Sequence, residues 1–118
     1  MRRMSFALTE RQLLAGTKTV TRRLGWRWLR AGDELLAVRK CMGLRKGEKQ
    51  EPLARIRVTS VRQERLDAIT PDDVEREGFA ELGVTGFVAM FCGATKCRPE
   101  DEITRIEFER LALAGEQP

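Results

Sequence analysis

Two segments of the sequence alternate apolar and polar residues, and this period of two indicates β-strands with one buried face. In the segment 53–61, Ile56 and Val58 alternate with Arg55 and Arg57. The apolar side chains are expected to face a core, and the two arginines are expected to face a wetter, positively charged surface. A chain with strands of this kind does not fold as a helical bundle.

The second alternating segment, 102–111, places Ile106 and Phe108 on one side of a strand and charged residues, Arg105 among them, on the other. Threonine and valine content and a Gly-Asp turn indicate further strands. These strands are predicted over 17–23 and 34–40.

Three short helices are predicted, each from a threonine whose side chain can cap a first helical turn. Thr9 and Gln12 match a capping box for a helix over 10–15, which Gly16 can end in the left-handed conformation. The other two helices are predicted to begin after Thr70 and Thr85 and to end at Gly78 and at about Cys92.

These elements predict a single α+β domain over residues 1–118, with the sheet curled into a small β-barrel beside two or three short helices. The segment 42–52, which includes two glycines, predicts an exposed loop. No run of about 18 apolar residues and no secretory signal occurs, so we expect a cytoplasmic protein with no membrane partner. One core is expected, formed by Ile56, Val58, Phe87, Phe91, Ile106 and Phe108.

The sequence contains no histidine, which excludes the Ser/His and Cys/His mechanisms and histidine-bound metals. The three cysteines, Cys41, Cys92 and Cys97, cannot all pair with one another and are expected to be reduced. We therefore expect no metal and no other cofactor, and interpret Cys92 and Cys97 as buried small thiols.

The charge is distributed unevenly along the chain. Residues 1–66 hold 17 Lys/Arg and 6 Asp/Glu, a net charge of +11, whereas residues 67–118 hold 5 and 12, a net charge of −7. A basic half of this kind favours an anionic partner, above all nucleic acid. The alternative is that the two halves fold against each other and their charges interleave.

The segment 16–23, GTKTVTRR, combines one lysine, three threonines and two arginines behind a glycine. Hydroxyls and guanidiniums close together suit phosphate or a planar polar ligand such as a base, and the alternative is a threonine-rich edge strand. Trp26 and Trp28 lie among arginines, where they either stack on a base or fill the core. The candidate RNA or ligand contacts are Arg22, Arg23, Trp26, Arg39, Lys40 and Arg57.

Four motifs in order resemble the ASCH (activating signal cointegrator homology) family over about residues 4–110. They are Gly-x-Lys-Thr-x-Thr-x-Arg at 16–23, Gly-Asp at 32–33, Thr-x-Asp-x-x-x-x-Glu at 70–77 and Thr-Arg-Ile-Glu-Phe at 104–108. The resemblance implies a PUA-like β-barrel of the kind used in RNA-binding and RNA-modifying proteins, with RNA or a modified nucleoside as partner. Some small bacterial members hydrolyse N4-acetylcytidine, and their lysine, threonine and glutamate fall on Lys18, Thr21 and Glu77.

The chemistry implied by this resemblance is amide hydrolysis. Threonine needs a base to become a nucleophile, and a desolvated, partly neutral Lys18 suits that role in a chain without histidine. Glu77 would hold the lysine or relay a proton, and Arg23 or a backbone amide would stabilise the oxyanion. Lys18 and Thr21 would face opposite sides of a regular strand, so their meeting requires a bulge or a turn. Two alternatives stay open: a non-catalytic RNA-binding or adaptor module, and a ribonuclease-type activity.

Overall fold

The computed structural model describes residues 1–40 and 45–112, which fold into a five-stranded sheet and three α-helices. This mixed content confirms the predicted α+β class. The strands are β1 (Arg3–Ser5), β2 (Val20–Arg23), β3 (Glu34–Val38), β4 (Pro52–Arg65) and β5 (Glu102–Leu111). The helices are α1 (Glu10–Ala15), α2 (Pro71–Arg76) and α3 (Gly83–Thr95), with 3-10 turns over Leu66–Ala68 and Ala80–Leu82.

The sheet has the strand order β1-β3-β4-β5-β2, in which β1 runs parallel to β3 and all other neighbours are antiparallel. Its centre is the long β4–β5 pair, whose register shifts between Val58 and Ser60. Val58 pairs with Phe108 and Ser60 with Glu107, so one extra residue of β4 bulges at this point. The bulge lets Ile56 and Val61, which differ in parity, pack against the same core.

The apolar residues form two clusters rather than the single core predicted. Ile56, Val58, Ile106 and Phe108 belong to a cluster on one face of the sheet. Phe87 and Phe91 belong to a second cluster. Helices α2 and α3 follow β4 in the chain and precede β5, so this cluster forms at the end of the sheet where β4 ends and β5 begins. Its other buried members are Leu66, Ile69, Val74 and Ile103.

The predicted closure of the sheet into a barrel is not shown. Strands β1 and β2 form the two edges, and no backbone hydrogen bond joins them within the described residues. A side chain connects the edges instead, because Arg23 Nη2 donates to the main-chain oxygen of Ser5 at 2.7 Å.

The predicted bounds of α1 and its end at a left-handed Gly16 are confirmed, and so is the start of α2, but the predicted caps of α1 and α3 are wrong. Thr70 caps α2 through the amide of Asp73, as predicted. The capping box at α1 is wrong, since the Thr9 side chain makes no capping bond and Gln12 Nε2 donates to the oxygen of Gly78. Helix α3 starts directly after a 3-10 turn, so Thr85 lies inside the helix and does not cap it.

The predicted strand at 17–23 begins only at Val20, and the predicted strand at 34–40 ends at Val38. Part of the predicted loop at 42–52 lies outside the described residues, and Pro52 already begins β4. Within the described ranges, none of the helices has the length and apolar character that crossing a bilayer requires.

We predict that Gly78→Ala destabilises the protein more than Gly32→Ala does. Both glycines have positive φ, 91° and 95°, so each alanine should cost about 1–2 kcal/mol in backbone strain. Only at Gly78 would the new Cβ also lie 2.9 Å from Gln12 Cβ, whereas at Gly32 it would meet nothing within 4 Å. Urea unfolding of both variants measures the difference, and equal losses would contradict the close approach.

Candidate functional site

A cavity of about 250 Å³ lies between β2, α3 and the segment that follows β1. Its apolar walls include Phe6, Phe79, Phe87 and Phe91. Its polar lining brings together the three residues that the family resemblance assigns to catalysis, together with two arginines. These residues are Lys18, Thr21, Arg22, Arg23 and Glu77.

Lys18 and Glu77 form a buried ion pair at this cavity. Lys18 Nζ lies 2.8 Å from Glu77 Oε1 and also donates to the main-chain oxygen of Glu77 at 2.8 Å. Both side chains are only 3% exposed. Burial lowers the pKa of Lys18 from its ordinary value, although the carboxylate of Glu77 opposes the shift. Lys18 therefore loses its proton to form the neutral amine more easily near neutral pH than an exposed lysine does.

The segment before β2 explains how Lys18 and Thr21 reach the same cavity. Lys18 precedes the strand, and its amide donates to the oxygen of Gln12 at the end of α1. The amide of Thr19 donates to the oxygen of Arg76, so this turn runs along the end of α2. Because Lys18 lies outside the strand, the alternation of side chains along β2 does not separate it from Thr21.

Thr21 is buried on β2, and its hydroxyl has a cationic neighbour. Arg23 Nε donates to Thr21 Oγ1 at 3.0 Å, which uses the hydroxyl as an acceptor and leaves its proton available. The Arg23 guanidinium also lies 4.9 Å from the centre of the Phe6 ring. The hydroxyl proton can therefore pass to a base without loss of the contact to Arg23.

Arg22 belongs to a buried network of ion pairs and does not lie on an open surface as a phosphate contact would. Its Nη2 atom lies 2.5 Å from Asp73 Oδ2 and 3.1 Å from Glu64, and its Nη1 atom lies 3.2 Å from Glu77 Oε2. The Arg22 side chain is 1% exposed. It thus holds the second carboxylate oxygen of the glutamate that binds Lys18.

The sequence interpretation missed three residues of this network, Glu64, Asp73 and Arg105. Arg105 Nε lies 2.6 Å from Asp73 Oδ2, and the guanidiniums of Arg105 and Arg22 hold the pKa of Asp73 far below its usual range. Arg105, expected on a wet face, is buried. The strand register explains why Arg105 is buried. Arg22 and Arg105 are directly opposite on neighbouring strands, and two such cations require a shared carboxylate.

The two tryptophans lie outside the cavity. Trp26 packs against the first apolar cluster, whereas Trp28 is 51% exposed. Their ring centres are 5.4 Å apart with planes tilted by 32°, and the Arg2 guanidinium lies 4.7 Å from the centre of the Trp28 ring. Trp26 is therefore partly a core residue, and Trp28 presents the exposed ring.

The other basic residues predicted to contact RNA or ligand are on the surface, outside the cavity lining, and each contacts a carboxylate. Arg39 pairs with Glu10 and Glu51, Lys40 with Glu48, and Arg57 with Glu109. Pairs such as Arg57 with Glu109 join a base of the basic half to an acid of the acidic half. The charges of the two halves therefore interleave at Arg57, whereas Arg39 and Lys40 pair with acids of the basic half itself.

Cys92 and Cys97 are partly exposed, so the interpretation of both as buried thiols is wrong. Cys97 lies beyond the end of α3, where solvent reaches it, and its Sγ atom is 3.9 Å from that of Cys92. Cys41 lies outside the described residues. Among residues 1–40 and 45–112, no three Cys, Asp or Glu side chains are grouped so that they could hold a metal ion.

We predict that Asp73→Asn lowers the unfolding free energy at neutral pH by about 3–5 kcal/mol, because it leaves buried guanidiniums without their shared charge. The depressed pKa of Asp73 stabilises the fold above the ordinary aspartate pKa of about 3.9, and this contribution is lost as the pH falls below that value. The variant should therefore lose less stability than the parent between neutral pH and acid. Urea unfolding as a function of pH measures this, with exposed Asp72→Asn as the matched control.

If Asp72→Asn lowers the unfolding free energy as much as Asp73→Asn does, the stabilising role of the Asp73 network is contradicted.

No family model matches this sequence, and a search of curated proteins finds no match. Solved structures do match the fold. They include protein EF3133 from Enterococcus faecalis V583, described as DUF984, at 16% identity and a TM-score of 0.69, covering 98% of this chain and 78% of that one.

The ASCH domain from Lactobacillus crispatus JV V101 matches at 14% identity and a TM-score of 0.64, over 92% of this chain and 78% of that one. The hypothetical protein PH0355 matches at 14% identity and a TM-score of 0.64, over 93% and 96%. At these identities the likeness shows the fold alone. The chain therefore has the fold of an ASCH domain.

Proposed function

We propose that the cavity binds a nucleobase-sized part of an RNA or a modified nucleoside. The volume of about 250 Å³ is slightly below the roughly 300–1,000 Å³ of pockets for drug-sized ligands. Aromatic walls suit a planar ring, and the polar residues at Lys18 and Thr21 suit its exocyclic groups. Arg22 Nε is buried and has no hydrogen-bond partner among the described residues, so an acceptor atom on the ligand would satisfy it.

We further propose that the chain hydrolyses an N4-acylated cytidine at this cavity. The observation that carries the proposal is the buried Lys18–Glu77 pair, which lines the same cavity as Thr21. A structural ion pair has no need of a nucleophile beside it, whereas acyl transfer requires a nucleophile and a base together. The ASCH-like fold supports a ligand of RNA type.

In the proposed reaction, neutral Lys18 takes the proton of Thr21 while Thr21 Oγ1 attacks the carbonyl carbon of the acyl group. The C–N bond then breaks, the leaving amine takes the proton from Lys18, and the acyl group remains as an ester on Thr21. Water hydrolyses the ester, releasing acetate and restoring the hydroxyl. Arg23 Nε donates to Thr21 Oγ1 at 3.0 Å, where its charge would stabilise the negative charge that develops on this oxygen as the proton leaves.

We predict that Lys18→Ala, Thr21→Ala and Glu77→Ala each lower acetate release from N4-acetylcytidine by about 10²-fold or more, as expected for loss of a base or nucleophile. The three losses should not add, because the groups act as a unit. Thr21→Ser should retain activity, since it keeps the hydroxyl. Thr19→Ala is the matched control, because Thr19 belongs to the same segment and does not line the cavity.

The acid side of the pH profile should rise with pH as Lys18 loses its proton, and its midpoint should lie below the ordinary lysine pKa. If the parent protein releases no acetate from N4-acylated cytidines, the hydrolase proposal fails. The binding proposal is then tested separately by equilibrium binding of cytidine and short RNA.

A second candidate function is RNA binding without catalysis, and the exposed Trp28 ring favours it. An aromatic ring with a guanidinium over one face is a platform on which an unstacked base can pack. Arg39, Lys40 and Arg57 stay in this proposal as phosphate contacts. Each would have to exchange a carboxylate for a phosphate, so the affinity gained from each contact would be small.

For this candidate we predict that Trp28→Ala weakens binding of single-stranded RNA by about 1–3 kcal/mol, the usual contribution of one stacked base. Leu24→Ala is the matched control, because Leu24 is also exposed, at 43%, and has no aromatic ring. Fluorescence anisotropy at several salt concentrations measures both, and affinity should fall as salt rises. This candidate would be contradicted if the two variants lowered RNA affinity equally, or if the affinity did not change with salt concentration.

A further inference from the structure

Cys92 and Cys97 are close enough to react with each other, and neither residue takes part in the proposed function. Their Sγ atoms are 3.9 Å apart, and both residues are partly exposed to solvent. Thr95 contacts this pair, since its Oγ1 atom lies 3.1 Å from Cys97 Sγ. Thr95 also lines the cavity, so the two thiols lie close to the cavity wall.

The backbone at the end of α3 brings the two thiols together. In a continuing helix, residues five apart would be separated by about 7.5 Å along the axis and would point in different directions. Helix α3 ends at Thr95, and Lys96 takes the left-handed conformation with φ 57° and ψ 46°. This turn reverses the chain, so that Cys97 returns to the last helical turn beside Cys92.

We propose that Cys92 and Cys97 are a redox-sensitive dithiol that hydrogen peroxide converts into an intramolecular disulfide. A disulfide requires the two sulfur atoms to approach to about 2.05 Å. The Sγ atoms must therefore move closer by about 2 Å, at the end of α3 and outside the sheet. Partial exposure gives the oxidant access to the sulfur atoms.

Thr95 identifies Cys97 as the thiol that reacts first. The Thr95 hydroxyl has one proton, and it lies 2.8 Å from the oxygen of Phe91 as well as 3.1 Å from Cys97 Sγ. This proton can turn to Cys97 Sγ and stabilise the negative charge on that sulfur when it attacks the oxidant. Burial, together with the Cys97 thiol, raises the pKa of Cys92, which favours Cys92 as the second thiol.

The reaction balances in two steps. The Cys97 thiolate attacks one oxygen of hydrogen peroxide, the O–O bond breaks, and the hydroxide that leaves takes a proton to form water. The product is a sulfenic acid on Cys97. The Cys92 sulfur then attacks the sulfenic sulfur, the S–O bond breaks, and the departing hydroxide takes the thiol proton to give a second water. Two thiols are oxidised and one peroxide is reduced.

The test uses the Cys41→Ser variant, in which Cys92 and Cys97 are the remaining cysteines. Peroxide at a one-to-one ratio should remove both free thiols together and lower the intact mass by two hydrogen atoms, and dithiothreitol should reverse both changes. Trypsin cuts after Lys96, between the two cysteines, so a non-reduced digest should contain the peptides 77–96 and 97–105 joined by a disulfide.

Two matched variants separate the roles in the same Cys41→Ser background. Cys97→Ser should react several-fold more slowly with peroxide than Cys92→Ser, which should stop at a sulfenic acid that dimedone captures. Thr95→Val, which keeps the shape of the side chain and removes the hydroxyl, should slow disulfide formation several-fold. Independent oxidation of the thiols to sulfinic acids, or a disulfide only between two chains, would overturn the proposal. Circular dichroism checks that each variant is folded.

Discussion

The carboxylate of Asp73 lies between the guanidiniums of Arg22 and Arg105, and the arrangement of the site depends on this contact. The two arginines are directly opposite each other on β2 and β5, and on the other side of Arg105 the register continues to Arg62 on β4. Like charges directly opposite each other on neighbouring strands are destabilising unless carboxylates lie between them. Asp73 and Glu64 fill that role, since Glu64 contacts both Arg62 and Arg22. Asp73, a residue of α2, thus neutralises positive charge on the sheet.

Because Asp73 belongs to α2, the same contact fixes this helix against the sheet and determines where its last residues lie. Glu77 follows the helix directly, and its carboxylate is held by Arg22 on one oxygen and by Lys18 on the other. Gly78 comes next and accepts a hydrogen bond from Gln12, which connects this end of α2 to α1. The ion pair that we propose for catalysis therefore rests on a network that extends well beyond the cavity.

The division of the apolar core into two clusters creates the space for the cavity. Phe6 belongs to the cluster on the sheet, Phe87 and Phe91 belong to the cluster around α3, and all three line the cavity. A single well-packed core would have filled this volume with side chains. The cavity between the clusters is also lined by Thr21, on the edge strand β2, and by Lys18, in the turn that precedes β2.

The sequence by itself determined the local structure. The alternation around Ile106 predicted β5 with its observed ends, and Thr70 and Gly16 predicted a helix start and a helix end, because these signals depend only on neighbouring residues. The motif at 16–23, through its family resemblance, also identified Lys18 and Thr21 as site residues to examine.

Only the tertiary structure decided which distant groups meet. Pairing across strands placed Arg22 opposite Arg105, and both arginines contact the carboxylate of Asp73. From the sequence, Asp73 had no assigned role in the site and Arg105 was expected on the side of the strand away from the core. The bulge in β4, the two separate clusters and the contact of Cys97 with Cys92 likewise arise from packing or from one left-handed residue. Side-chain periodicity fixes which face of an element is apolar, but the partner of a buried charge is fixed by strand register and helix docking, which join residues far apart in the chain.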